Sequence, residues 1–280
     1  MKQYDALIAR ADRNTLDLVV AIGGTLPITG MLDEDESVAL YFDEGTYSDE
    51  YADEIRTQLP DGMQVQFERI QVEEQNWNSE FEQSLEPIRI AEGLTITQSW
   101  NPVQPREGEL VITIDPKMSF GTGHHETTRL VSRLMMNLDL EGKSVLDVGT
   151  GTGALAILAA KKNAGPITAF DNNEWAVENT RENLALNDVS EKVTVFQGEL
   201  EDLEDTCFDL VLANLHRNLI IRLLPGFIRK FKDDNTTLIT SGVLIEDYDS
   251  LLEAAAIHQL FPVNEERENE WVATVFQLKK

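Results

Sequence analysis

The residues best suited to chemistry lie in VLDVGTGTG, positions 145–153. Gly149, Gly151 and Gly153 separate two apolar runs, the pattern of a strand, a tight turn and a helix. Glycine lets the backbone turn sharply and come close to a ligand. The next apolar run ends in Asp171, 22 residues after Gly149. A carboxylate at that place accepts hydrogen bonds from both ribose hydroxyls of a nucleoside. With Ala154 the turn also reads G-x-G-x-x-A, the dinucleotide fingerprint. A nicotinamide enzyme and an S-adenosylmethionine enzyme therefore compete on this motif.

Two further residues favour S-adenosylmethionine. Asp147 stands just before the glycine turn, where a carboxylate would hold the ammonium of a methionine moiety, directly or through water. It would repel a pyrophosphate. Asn214 closes the run FDLVLAN, which puts it on the ligand-binding edge of a doubly wound sheet. Each has a plainer reading. Asp147 would cap a loop, and Asn214 would cap the helix HRNLIIRLL. Taken together, at the ends of three strands, Asp147, Asp171 and Asn214 point to a cofactor.

A second motif, DPKMSFGTGHHETTRL, spans 115–130. Gly121 and Gly123 flank a turn, and Thr127 and Thr128 fall in the first turn of the helix that follows. Hydroxyls and helix N-terminal amides in that position suit a ligand carboxylate. His124, His125 and Glu126 resemble metal ligands, but adjacent histidines rarely converge on one ion, so no metal is expected. His216 and His258 read as helix-start and surface residues.

These residues need a scaffold. The chain has 280 residues and 31.5 kDa, which suggests about two domains. A single cysteine, Cys207, excludes internal disulfides and a cysteine-based zinc cluster. No apolar run reaches the ~18–20 residues of a membrane span, and charges interrupt the N-terminal stretch where a signal peptide needs its apolar core. A cytoplasmic protein is expected. Fifty acidic residues against 23 basic ones give a net charge of −27. Such a surface repels nucleic acid and anionic membranes and attracts a basic partner. Residues 1–90 are the more densely acidic part, with 20 acids and 6 bases.

The element order divides the chain at residues 1–72, 73–115 and 116–280. In the first part KQYDALIA, PITGMLDE, SVALYFDE and MQVQFERIQV read as strands. In the last of these, Val65, Phe67 and Ile70 alternate around one irregularity. TLDLVVAI reads as a short helix or buried strand, capped by Asn14 or Thr15 and interrupted by Gly23-Gly24. SDEYADEIRTQL reads as an amphipathic helix capped by Ser48. This β-α-β-β-α-β order is that of a small ferredoxin-like α+β module. Residues 73–115 form a connector with a short helix, NSEFEQSL, and strands in IRIAEGLTITQSW and GELVITID. From 116 strands and helices alternate, which means α/β with a parallel sheet and right-handed crossovers. The helix after the glycine turn is predicted to end at Gly165. The last two strands lack an intervening helix, so an antiparallel addition at the sheet edge is expected, making a seven-stranded mixed sheet.

In sequence order, DPKMSFGTGHHETT, VLDVGTGTGALAILAAKKNAG, FDNNEWAVENTRENLALNDV, LVLANLHRNLIIRLLP, LITSGVLIEDYDSL and EWVATVFQL resemble the ribosomal protein L11 methyltransferase family. NWNSEFEQSLEPIRIAEGLTITQSW is similar to that family's linker. The resemblance covers about residues 74–280, and the FGTG-H-x-TT block is its discriminating part. It implies a Rossmann-like class I methyltransferase domain behind a ferredoxin-like substrate-recognition domain. It also implies that Thr128 contacts the cofactor, that Gly149 opens the cofactor loop, that Asp171 binds the ribose, and that Asn214 stands near cofactor and substrate amine. Asp147, Gly151 and Gly123 join them as expected cofactor-binding positions. The family often has Cys and Ser where this chain has Thr150 and Thr152.

The expected activity is methylation of α-amino and lysine ε-amino groups of ribosomal protein L11, a basic partner, by a monomer. S-adenosylmethionine is the expected cofactor. A class I methyltransferase of another protein or of a small-molecule amine is the nearest alternative. The N-P-P-aromatic segment of many base-amine methyltransferases is absent, since Leu215-His216 follow Asn214. A nicotinamide-dependent oxidoreductase is the alternative from another chemistry, and a binding module without turnover is the non-enzymatic one.

Overall fold

The computed structural model describes residues 3–43, 45–60, 62–73, 85–117, 119–203 and 206–279. The chain divides into two compact units, Met1–Trp77 and Asn78–Lys280.

In the first unit, β1 (Gln3–Arg10), α1 (Arg13–Gly23), β2 (Gly30–Asp33), β3 (Ser37–Asp43), α2 (Tyr51–Gln58) and β4 (Gln66–Glu73) follow in the expected order. The strands pair as β2-β3-β1-β4, all antiparallel. Alternation in β3 turns Val38, Leu40 and Phe42 inward, where they meet Leu7, Leu16, Val19 and Ile55. Gly23 is the last residue of α1 and does not break it. A β-carbon there would sit 2.8 Å from Leu40 Cδ2, so the helix end packs directly on β3. The cap of α1 is Asp12, whose carboxylate accepts from the Thr15 N–H and hydroxyl, in place of Asn14 or Thr15. Ser48 lies before α2 and accepts from the Glu50 N–H, while Glu50 takes the N-cap position. Ile70 pairs with Ala6 and sits on the face opposite Phe67, at 36% exposure.

In the second unit, β5 (Ile88–Ala91) and β6 (Leu94–Thr97) form a hairpin, and β7 (Leu110–Thr113) adds parallel to β6. The expected helix at 78–85 falls almost wholly outside the described residues. The main sheet contains β8 (Val145–Val148), β9 (Ile167–Asp171), β10 (Val193–Gln197), β11 (Leu210–Asn214), β12 (Thr237–Leu244), β13 (Leu260–Glu268) and β14 (Trp271–Leu278). Its order is β10-β9-β8-β11-β12-β14-β13. The first five strands in that order are parallel, and β14 runs antiparallel to both β12 and β13, as the paired closing strands required.

Helices cover both faces, which is why the central strands read as unbroken apolar runs. On one face α3 (Glu126–Met136) and α4 (Ala154–Lys161) bury Leu130, Leu134, Ile157 and Leu158 against Val145, Leu210 and Leu212. Ile96 and Ile112 of the three-stranded sheet join this core. On the other face α6 (Arg217–Arg229) and α7 (Tyr248–Ile257) bury Ile220, Leu224, Phe227 and Leu251 against Leu146, Val148 and Val211. Helix α4 ends at Lys161, earlier than the expected stop at Gly165, and Asn163 turns the chain at φ 60°. Sequence order along the sheet reverses between β8 and β11, and a crevice opens beyond the carboxyl ends of the strands at such a point. No helix among the described residues is long and apolar enough to cross a membrane.

Helix α5 (Glu174–Leu186) ties these parts together through Asn179, Asn183 and Asn187, which repeat every four residues on its inner face. Asn183 accepts from the Asp115 N–H (2.9 Å) and donates to the carbonyls of Asp115 (3.2 Å) and Thr152 (2.9 Å). Asn187 brackets Thr113 in the same way. The segment after β7 is therefore held to the glycine turn by these side chains. Asn183→Ala strands these buried groups and is expected to cost about 2–4 kcal/mol in denaturant unfolding of the second unit. A change below about 0.5 kcal/mol, the size of an ordinary surface substitution, would contradict this role.

Candidate active site

The turn after β8 is held from three sides. The N–H groups of Gly149 and Thr150 both donate to the Phe170 carbonyl on β9 (2.9 and 3.0 Å). Thr180 Oγ1 on α5 donates to the Gly151 carbonyl (2.8 Å). The third side is the second motif. Thr152 N–H donates to the Phe120 carbonyl (2.9 Å), and Thr152 Oγ1 donates to the Gly121 carbonyl (2.8 Å). The two motifs are thus hydrogen-bonded to each other. Gly151 has φ +56°, and a β-carbon on it would collide with the Phe120 carbonyl, so this approach is open only to glycine.

Asp171 closes the turn. One carboxylate oxygen accepts from the Gly151 N–H (3.1 Å), the other from the Asn173 N–H (3.0 Å). Asn214 ends β11, and Leu215 follows it with its N–H bonded to the Ser241 carbonyl (3.0 Å). The Leu215 side chain overlies Gly149, and its carbonyl overlies Gly242, a bulge residue of β12 at φ +85°. Gly242 has no room for a β-carbon, and at Gly149 (φ +69°) a side chain would be strained and would displace Leu215. The cap of α6 is His216, which accepts from the Leu219 N–H, so Asn214 is free of that duty.

These strand ends surround a cleft of about 1220 Å³. That is ample for a nucleoside cofactor together with a second group. Of the expected residues, Gly149, Gly151, Asp171 and Asn214 line it. Thr128 is fully buried behind Asn214 and accepts a long hydrogen bond from Asn214 Nδ2 (3.5 Å). Gly123 is not at the cleft. It sits against Ile96 and Ile90 at φ +87° and serves the turn. Asp147 does not reach the cleft either. It is 1% exposed, and its carboxylate accepts from Thr150 Oγ1 (2.7 Å) and the Ala156 N–H. Its physical role in this structure is the loop-capping one, because the β8 side chain points inward beneath the turn.

Asn214 Oδ1 is shielded from solvent and has no hydrogen-bond partner among the described residues. An orphaned acceptor at a cleft is costly unless a ligand donor fills it. The cleft also holds residues that were not expected. Phe120, His125 and Trp271 form a run of ring contacts, and Glu199 and Leu200 lie beyond β10. Among the described residues no group of three His, Cys, Asp or Glu side chains converges as a metal site. Thr127 Oγ1 bonds His125 Nδ1 (2.9 Å), and His125 caps α3 by accepting from the Thr127 N–H.

A seven-stranded sheet of this order, with a glycine turn after β8 and an acid after β9 at one cleft, defines a class I methyltransferase domain. The family described as ribosomal protein L11 methyltransferase (PrmA) matches residues 11–279. A ribosomal protein L11 methyltransferase of Chlorobaculum parvum is 37% identical over 278 residues, covering 96% of this chain and 94% of that protein. One of Phocaeicola vulgatus is 32% identical over 266 residues, covering 94% of each. The solved structure of a ribosomal protein L11 methylase from Lactobacillus delbrueckii subsp. bulgaricus matches with a TM-score of 0.66. It has 26% identity and covers 70% of this chain and 100% of that one. The chain belongs to the ribosomal protein L11 methyltransferase family. Membership sets aside the nicotinamide reading of the glycine turn.

Burial pushes the Asp147 carboxyl up to about 6, against the pull of its two hydrogen bonds and with a small push from Asp171. A carboxyl that holds its proton more tightly when folded stabilises the fold only while protonated. That stabilisation is full below the unfolded value of 3.8 and is lost as pH rises through about 6. Asp147→Asn keeps an acceptor and removes the charge. It is expected to raise stability relative to the native chain at pH 8 by about 1–2 kcal/mol, with the gain shrinking by pH 5. Paired thermal melts at the two pH values check this, and an equal difference at both would contradict it.

Proposed function

We propose that this chain is an S-adenosylmethionine-dependent N-methyltransferase acting on α-amino and lysine ε-amino groups of ribosomal protein L11. The observation that carries the reading is Asn214: its Oδ1 is a buried acceptor without a donor among the described residues, in the same cleft as Asp171 and the glycine turn. The relatives are named for methylation of that ribosomal protein.

The residues present fit the cofactor. Asp171 faces the cleft with a carboxylate suited to ribose hydroxyls, while Gly149 and Gly151 keep the floor free of side chains. Thr128 acts through Asn214, since it is buried behind it. S-adenosylmethionine supplies a methyl group on a sulfonium that is already activated for displacement. The chain's share is alignment, exclusion of water and an acceptor for the amine. Asn214 Oδ1 would take an N–H of the neutral amine and so aim the lone pair. It is no base, and the proton goes to solvent. An α-amine, with pKa about 7.7–8.0, is partly neutral at pH 7, whereas a lysine amine, about 10.4, must first be deprotonated.

The charge supports a basic protein as partner and argues against nucleic acid or an anionic membrane. The first unit exposes Asp33, Glu34, Asp35 and Glu36 in one run, a surface suited to docking such a partner in the cytoplasm. We take the enzyme to be a monomer. In this reading residues 1–72 recognise the substrate, 73–115 connect, and 116–280 catalyse.

Isothermal titration separates the parts. The native chain is expected to bind S-adenosylmethionine and not NADH, and Asp171→Ala to lose that binding. Asn214→Ala is expected to keep cofactor affinity and lower kcat about 100-fold, the scale of one aligned transition-state hydrogen bond. Full activity in Asn214→Ala, or NADH binding by the native chain, would overturn the proposal.

A further inference from the structure

Beyond Asp171 the cleft extends toward the end of β10, where Gly198, Glu199 and Leu200 line it. Trp175, at the start of α5, lines it too. Trp175 is 76% exposed, more than any other described Phe, Tyr or Trp. A lone apolar ring on an outer face would be ordinary. This one borders the cleft, and its indole makes no hydrogen bond, ring contact or cation contact among the described residues. Neither the core nor the cap of α5 uses it.

The backbone that carries Trp175 is fixed to the expected ribose acid. Asp171 accepts from the Asn173 N–H (3.0 Å), and the Asn173 side chain, the cap of α5, accepts from the Trp175 N–H (2.9 Å). Helix α5 leads from β9 to β10 and starts at the carboxyl end of β9. The sheet order then orients a nucleoside cofactor. β8 and β11, with the glycine turn and Asn214, lie on one side of β9, and β10 lies on the other. A ribose held at Asp171 with its sulfonium arm toward Asn214 has its base toward β10, on the side of the cleft that Trp175 borders.

We propose that Trp175 covers the purine of the cofactor by stacking on it, and so retains the donor and the spent product to the same degree. This rests on the methyltransferase reading above. An indole left in water gains by covering an apolar face, and a purine offers a flat one of matching size. The purine is common to S-adenosylmethionine and S-adenosylhomocysteine. Trp175 therefore tightens both by one factor and contributes nothing specific to the transition state. The side chain that lowers the donor concentration the enzyme needs also strengthens its inhibition by the product.

The test titrates the full chain with S-adenosylmethionine, S-adenosylhomocysteine and 5′-methylthioadenosine, which keeps the nucleoside and lacks the amino-acid arm. Trp175→Ala is expected to weaken all three by the same factor, about 10-fold, the lower range of one aromatic–base stack. Trp175→Phe is expected to recover most of that loss, because a flat ring returns. Unchanged affinity for S-adenosylhomocysteine in Trp175→Ala would overturn the cover. So would a loss seen with S-adenosylhomocysteine and not with methylthioadenosine, which would put Trp175 at the amino-acid arm. A native chain that binds none of the three would overturn the cofactor reading beneath it.

Discussion

The contact on which the site depends is the one between Thr152 and the turn at Phe120-Gly121. Two hydrogen bonds from one residue, N–H to one carbonyl and hydroxyl to the next, join segments about 30 residues apart. They bring the glycine turn of β8 against the loop that leads into α3. With that joint made, Gly151 lies too close to Phe120 for any side chain, and Phe120 is pushed outward to the cleft. The start of α3 follows, and with it His125, Thr127 and Thr128.

The two aspartates show how placement divides labour. Asp171 ends its strand at the cleft and spends each carboxylate oxygen on one backbone N–H, leaving lone pairs for a ligand. Asp147, two residues before its own turn, faces inward and is consumed by Thr150 and the first turn of α4. Depth along the strand separates them: Asp147 is in register with Ala169, two residues short of Asp171 and on the same face, so Asp171 reaches the crevice and Asp147 does not. Gly149, Gly151 and Gly242 then form a floor from which β-carbons are excluded by Leu215 and Phe120.

Much of this was legible in the sequence. The β-α-β-β-α-β order of the first unit and the antiparallel closing strands follow from local apolar periodicity, which burial enforces on each strand alone. Gly149, Asp171 and Asn214 were readable because each sits at the end of an apolar run, and the sheet edge gathers run ends. What periodicity does not carry is the direction of a single side chain or a meeting of distant segments. Asp147 and Gly123 belong to the right loops but face the interior. His125 and Trp271 are about 146 residues apart and meet only because the β13–β14 turn is bolted to α3. Gly242 carried a faint signal, a glycine inside a strand pattern, which is where bulges occur. The helix stop at Lys161 was missed because Asn163 adopts the left-handed turn that was assigned to Gly165.

The most direct test of the account is mass spectrometry of unmodified ribosomal protein L11 incubated with S-adenosylmethionine and the purified native chain. Peptide mapping would locate the modified amines. The expected result is addition of methyl groups to α-amino or lysine ε-amino nitrogen of that protein, absent when Asp171→Ala replaces the native chain. A ribosomal protein that keeps its mass while the chain demonstrably binds S-adenosylmethionine would contradict the account, leaving the cleft intact but its acceptor misassigned.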